Sequence, residues 1–186
     1  YVAPMVAVHP CTQCVKNPPS FTWLKTAGIH SEQLQHAVHQ LKYAGRFHLA
    51  QPLGQVLLEH LYHEITEFAP QAIIPIPLHP KRLRERGFNQ SLLVSQHLGK
   101  ALHVRVISGY LMRIRATRSQ TDLTRLERKQ NLKGAFTLQG FLKPRRILLV
   151  DDVVTTTSTC RECATILTRA GHDVAVVALG RAHLHN

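Results

Sequence analysis

The spacing of apolar positions changes several times along this chain, and each change predicts an element. Leu34, Val38 and Leu41 recur at helical intervals, predicting a helix over 31–43 that Gly45 ends. The stripe Leu49, Leu53, Leu57, Leu61 and Ile65 predicts a second helix over 49–68. The run "AIIPIPL" at 72–78 is apolar throughout and reads as a strand, with Pro75 and Pro77 placing it beside loops or at an irregular edge. It is followed by the polar "HPKRLRERGFNQ", a helix over 91–102 and an extended stretch over 104–112. Residues 115–131, "RATRSQTDLTRLERKQN", are polar, basic and weakly patterned, and fit a mobile loop with room for a helical turn.

The strongest pattern is "RRILLVDDVVTTTSTCREC" at 145–163. A strand is expected over 145–154. Its residues 147–150 do not alternate with polar ones, as in a parallel-sheet strand covered on both faces. A helix over 158–170 follows, ended by Gly171, and then the buried strand "DVAVVAL" at 173–179. Strand, helix, strand in that order is a right-handed crossover unit, so the fold class is α/β. The length of 186 residues suits one domain with a small appendage. The appendage is the irregular stretch 1–20, which holds Cys11-Thr-Gln-Cys14 and Pro18-Pro19.

Composition narrows the function classes. Hydrophobic residues at 44% and charged ones at 18% are globular values. No apolar run approaches the roughly 20 residues that cross a bilayer, and no signal-peptide pattern opens the chain, so a cytoplasmic protein without a membrane span is expected. The formal charge is +12. Of the 23 Lys and Arg residues, 16 lie between Lys81 and Arg146 beside only 3 acidic ones, leaving 7 basic and 8 acidic elsewhere. All the excess therefore sits in one central segment, which suggests a surface that meets phosphates. His36/His39 and His60/His63 have i, i+3 spacing but no matched acids, and read as surface residues.

Against this background two adjacent carboxylates at the end of the most apolar strand need a reason, because they repel each other. Ligands in open α/β sheets bind at the carboxyl ends of strands, where the next helix offers unpaired N–H groups and a positive dipole end. Thr155, Thr156, Thr157, Ser158 and Thr159 add hydroxyl donors there. Asp151 and Asp152 can accept from sugar hydroxyls or hold Mg²⁺, directly or through water. One turn would then grip both ends of a ribose 5-phosphate. "ILLVDDVVTTTST" resembles the phosphoribosyl-pyrophosphate (PRPP) motif of type I phosphoribosyltransferases. It departs from the motif at Thr157, where those enzymes usually have glycine. A β-branched residue resists left-handed backbone, which predicts either weaker binding or a different loop shape.

Four further stretches, "CTQCVKNPP" (11–19), "LKYAGRFHLA" (41–50), "IPLHPKRLRERGFNQS" (76–91) and "RATRSQTDLTRLERKQNLKGAF" (115–136), resemble in this order the signatures of the ComF/GntX family. The resemblance reaches from the first cysteine to beyond the acidic pair. It implies a type I phosphoribosyltransferase fold, a mainly parallel sheet flanked by helices, with the two N-terminal helices as a hood. It also implies a role in competence, the uptake of external DNA in natural transformation, beside other DNA-uptake proteins. Family members typically begin with a four-cysteine zinc element. Cys11 and Cys14 match its second half, so 1–20 is expected to be a partial zinc-binding element and 21–186 the phosphoribosyltransferase-like domain. Two thiolates leave a tetrahedral Zn²⁺ half-ligated, so the other pair is expected before Tyr1. Cys160 and Cys163 lie on the helix after the turn and read as buried structural thiols.

The resemblance also suggests roles for the basic loops. His79, Lys81 and Arg82 follow the strand at 72–78 where those enzymes bind the pyrophosphate of PRPP, and Arg and Lys there would hold charge on the leaving group with Mg²⁺. Arg115 and Arg128, in a loop that would close over the site and exclude water, join Asp151 and Asp152 as expected catalytic residues. The motif speaks for PRPP binding more strongly than for transfer of phosphoribose. The second reading is a scaffold that handles single-stranded DNA and is regulated by PRPP or a nucleotide. Lys81, Arg82, Arg84 and Arg86 would meet the DNA backbone, and Phe88, Tyr110, Phe136 and Phe141 would be the aromatic platforms.

Overall fold

The run at 147–150 is fully buried, with alternate side chains serving the two faces of a sheet. The computed structural model describes residues 15, 17–28, 32–116 and 132–181. In chain order its elements are β1 (Trp23–Thr26), α1 (Glu32–Tyr43), a 3₁₀ turn (Phe47–Leu49), α2 (Ala50–Phe68), β2 (Ala72–Pro75), α3 (Pro80–Arg86), α4 (Gln90–Leu102), β3 (Leu111–Arg113), β4 (Phe136–Leu138), β5 (Arg146–Val154), α5 (Ser158–Arg169) and β6 (Asp173–Arg181).

Four strands form a parallel sheet in the order β1-β6-β5-β2. Ile147 of β5 stands opposite Val174 of β6 on one side and Ala72 of β2 on the other. The expected extended stretch 104–112 contributes less than a full strand to this sheet. It touches β2 through a single bridge between Ile73 and Val106. Ile73 N donates there to Arg105 O at 2.9 Å, and Ile107 N to Ile73 O at 2.8 Å. Its last residues, β3, pair instead with β4 in a separate antiparallel ribbon.

The pleat divides the core. Leu148, Val150, Val177 and Leu179 pack on the hood side with Leu41, Leu57, Ile65, Val94 and Leu98. Ile147, Leu149 and Val176 pack on the other side with Cys163, Ala164 and Leu167 of α5 and with Phe136. Each such aliphatic side chain contributes about 1.5–3 kcal/mol by leaving water. Cys160 and Cys163 are buried free thiols, as expected, and His36, His39, His60 and His63 are exposed.

Two elements differ from expectation. The polar stretch after β2 is not all loop: 80–86 is helix α3, capped by His79, started by Pro80 and stopped by Gly87 at φ 81°. It buries none of its residues, so no apolar period announces it. β1 is an edge strand of four half-buried residues, "WLKT", too short to show alternation. The expected zinc element with Cys11 and Cys14 lies outside the described residues. Residues 17–20, which follow it, rest on α5. Arg161 Nη1 donates to Asn17 O at 2.8 Å, and Thr168 Oγ1 to Ser20 O at 2.9 Å. Among the described residues no helix is long and apolar enough to cross a membrane.

Candidate functional site

β5 does not stop before the acids but carries them. Asp151 stands opposite Ala178, and the strand runs on to Val154. Successive strand residues point to opposite faces, so the two carboxylates turn to different neighbours, which eases their repulsion. Asp152 meets Lys42 of the hood helix α1, with Nζ 2.5 Å from Oδ2, and its Oδ1 accepts from Val153 N at 2.8 Å. Asp151 accepts from Asp152 N through Oδ1 at 2.9 Å, and its Oδ2 lies 3.9 Å from Cys160 Sγ.

These surroundings split the pair electrostatically. Burial, reinforced by the Asp152 charge, pushes Asp151 up to about 8, so it is protonated at neutral pH. Burial also works to raise Asp152. The Lys42 charge and the hydrogen bonds from Lys42 and Val153 outweigh it and hold this carboxyl below its ordinary range. The pair therefore carries one negative charge, matched by one ammonium. Arg113 of β3 stands nearby, its guanidinium carbon 5.5 Å from the Phe136 ring. Burial lowers its pKa, the Cys163 and Asp151 side chains work against that, and the Arg82 charge works with it.

After the strand, Thr155 to Thr157 make the turn into α5. Thr157 sits at φ 60° and ψ −2°. The loop thus keeps the left-handed shape that glycine would allow, with a β-branched residue in it, at a cost of about 1–3 kcal/mol. Its hydroxyl does not cap the helix; Thr157 Oγ1 accepts from Arg161 Nε at 3.3 Å, and its carbonyl accepts from Arg161 N at 2.8 Å. Thr156 Oγ1 and Ser158 Oγ are 3.0 Å apart. The expected donors at 155–159 are all half-buried and gathered at this turn, at the N-terminal end of α5.

The expected basic residues stand on α3 and after β3. His79 is the cap of α3, its Nδ1 accepting from Lys81 N at 3.2 Å, which puts the ring hydrogen on Nε2. Lys81, Arg82 and Arg84 are exposed. Arg82 pairs with Glu85 at 3.8 Å. Arg86 donates to Gln90 Oε1 at 2.7 Å and stacks on Tyr43 at 5.1 Å. Arg115 donates to Lys133 O at 2.7 Å, and Gly134 N donates to Glu162 Oε1 at 2.8 Å. Both bonds tie down the base of the segment expected to act as a lid. Arg128 lies outside the described residues.

Lys42 and Arg113 were not among the residues expected from the sequence. Lys42 had a signal: it lies in "LKYAGRFHLA", one of the stretches that carry the family resemblance. Of the proposed aromatic platforms, Tyr110 and Phe136 are core residues and cannot stack on a base. Tyr110 Oη lies 3.0 Å from His172 Nε2. Among the described residues no three His, Cys, Asp or Glu side chains come together to hold a metal. The acids, with one carboxylate already matched by Lys42, do not fit a Mg²⁺ ion held by the protein alone.

Comparison with known proteins covers most of the chain. It is 40% identical over 165 residues to DNA utilization protein YhgH of Escherichia coli O6:H1, covering 87% of this chain and 73% of that one. It is 33% identical over 181 residues to competence protein F of Haemophilus influenzae, covering 92% and 78%. The chain belongs to the ComF family. Another relative, competence protein ComFC of Streptococcus pneumoniae, is 31% identical over 130 residues, 69% of this chain and 56% of that one. No protein-family model matches the chain. Among solved structures it is similar to orotate phosphoribosyltransferase from Aeropyrum pernix, with TM-score 0.42 and 18% identity over 75% of this chain and 62% of that one. It is also similar to an adenine phosphoribosyltransferase, with TM-score 0.43 and 14% identity over 76% and 75%. In this ComF chain the stretches at 41–50, 76–91 and 145–163 meet in space, with Lys42 on Asp152 and Arg86 on Tyr43.

Proposed function

We propose that this ComF-family protein binds a phosphorylated ribose, PRPP above all, at the turn after Asp152, and uses it in handling DNA during natural transformation. The observation that carries the reading is Thr157. A β-branched residue held left-handed beneath two acids is a conformation the chain keeps at an energetic cost, and such strain collects at ligand sites. The phosphate would take the first N–H groups of α5 and the hydroxyls of Thr155, Thr156, Ser158 and Thr159. The ribose hydroxyls would meet Asp151 and Asp152. A protonated Asp151 suits this task, because it can donate to one hydroxyl and accept from another. His79, Lys81 and Arg82 would face the pyrophosphate, Mg²⁺ would arrive on the pyrophosphate oxygens, and Arg115 and Arg128 would belong to the lid. The test is a melting experiment. PRPP is expected to raise the Tm of the wild type, and replacing both acids, Asp151→Asn with Asp152→Asn, to abolish the rise; an unchanged shift would refute the assignment. Release of pyrophosphate against a panel of bases would establish transfer, and silence across the panel would favour a binding scaffold.

A second reading, contact with single-stranded DNA, draws support from one surface. Lys81, Arg82 and Arg84 stand exposed on α3, Arg86 stacks on Tyr43, which is 65% exposed, and Phe47, 53% exposed, packs edge-on against Phe88. Cations beside exposed rings are what a strand of unpaired bases requires. Affinity is expected to fall steeply with salt, and further when the four α3 cations, or Tyr43 and Phe47, become alanine. Binding that survived both treatments would place the DNA elsewhere.

A further inference from the structure

The contact between Lys42 and Asp152 ties the hood to the floor of the site. The two side chains are 21% and 6% exposed. Asp152 Oδ1 is committed to the Val153 N–H, and Oδ2 faces the ammonium. Lys42 stands in the last turn of α1, so this positive charge reaches the acids from a different layer of the fold. Asp151 gives Oδ1 to the Asp152 N–H and keeps Oδ2 near Cys160 Sγ. A divalent ion held by protein needs several oxygen ligands whose charge is not already balanced. Here the two carboxylates are shared between a neighbouring ammonium, the backbone and a thiol, and no third His, Cys, Asp or Glu joins them among the described residues.

We propose that Lys42 is the resident cation of the acidic pair, standing where a divalent metal would have to enter, so that Asp151 and Asp152 receive sugar hydroxyls without a protein-held metal ion. An ammonium has three donors. One serves Asp152, and the others are positioned by the same tether to meet hydroxyl oxygens of the ligand. Lys42 thereby becomes a specificity residue of the site, and metal enters only with ligands that carry their own chelating phosphates. The sugar part of this inference rests on the function proposed above; the metal part does not.

Mn²⁺ alone, titrated against the full chain and followed by electron paramagnetic resonance, tests the metal part. Wild type is expected to show no site tighter than about 1 mM at the acids, the weak end of biological divalent sites. Lys42→Gln and Lys42→Met are each expected to gain a site at least tenfold tighter, which Asp152→Asn in the same background removes. Mn²⁺ is also expected to raise the Tm of both variants and not of wild type, a readout available even to a weakened fold. A wild-type Mn²⁺ site that Asp152→Asn abolishes overturns the proposal, and so do variants that gain nothing. Ribose 5-phosphate tests the sugar part: wild type should bind it equally in Mg²⁺ and in chelator, and Lys42→Met only in Mg²⁺. Wild-type binding that requires Mg²⁺ overturns the role of Lys42. Absence of ribose 5-phosphate binding under both conditions instead defeats the sugar-phosphate reading, while the Mn²⁺ titration still decides on Lys42.

Discussion

Lys42→Met keeps the length of the side chain but removes its charge, stranding a carboxylate of which 6% meets solvent. Deleting one partner of a buried ion pair costs about 3–5 kcal/mol, because the remaining charge has lost both water and counter-ion. The opposite deletion, Asp152→Asn, is milder. Lys42 is 21% exposed and its ammonium can turn to water, so about 1.5–3 kcal/mol is lost, the scale of one charged hydrogen bond. Since the double variant strands no charge, it is expected to be no worse than Lys42→Met alone, giving a coupling energy of about 2 kcal/mol. In a chain of this size each kcal/mol moves Tm by about 2–4 °C, which places Lys42→Met about 10 °C below wild type at pH 7. The pH dependence has a definite sign. Lys42 depresses the folded pKa of Asp152, so its contribution is fully present above the unfolded carboxylate value, 3.8, and is lost as pH falls from there through the lower folded value. Urea melts of the four proteins at pH 7 and in steps below 3.8 would measure this. A Lys42→Met variant within 1 kcal/mol of wild type at pH 7, or two single losses that simply add, would refute the reasoning.

Asp151 has the opposite sign. Its folded pKa of about 8 lies above the unfolded 3.8, so it costs stability as pH rises from about 4 to 8. Asp151→Asn is expected to flatten that slope and to melt above wild type at pH 8.5; a wild-type Tm that stays level from pH 5 to 8.5 would contradict it. Thr157→Gly relieves left-handed backbone worth about 1–2 kcal/mol and gives up only the bond from Arg161, because the Thr157 hydroxyl does not cap the helix. Its Tm should therefore rise. A fall would mean that the 3.3 Å bond from Arg161 outweighs the strain. Leu148→Ala, in the centre of the hood-side core, is expected to lower stability by about 2–5 kcal/mol in urea with an unchanged m-value. A loss below 1 kcal/mol would show that the core closes around the gap.

The parts of the fold that bury the most side chain are the parts legible in the sequence. Ile147 to Val150 show no alternation because helices cover both faces, and Gly171 marks the end of α5 because it takes φ 91°. α3 was hidden because a helix with no buried face leaves no period, although His79-Pro80 and Gly87 are its start and stop signals. Tyr110 and Phe136 stand in the basic segment, which suggests platforms for bases, yet both are buried. Chain neighbourhood says nothing about which side of a ribbon faces α5. The turn at 155–159 was legible as a place, but its shape was not, since Thr157 opposes the backbone it adopts. Lys42 does not stand out by its charge, because a basic residue in a last helical turn already has a sufficient explanation in the helix dipole; its one signal is its place in "LKYAGRFHLA".

The strand order has a consequence for how the protein is made. β1 finds its partner in β6, and β2 finds its partner in β5, so the early strands are held by the late ones. During synthesis the hood helices emerge with Leu57, Leu61 and Ile65 facing water and wait for residues 146–181 to arrive and give them a surface. Pairing over such sequence distances is slow and leaves the nascent chain open to association. The growing polypeptide therefore exposes apolar surface of the kind that chaperones cover, and a chain cut short before β5 has no sheet to close.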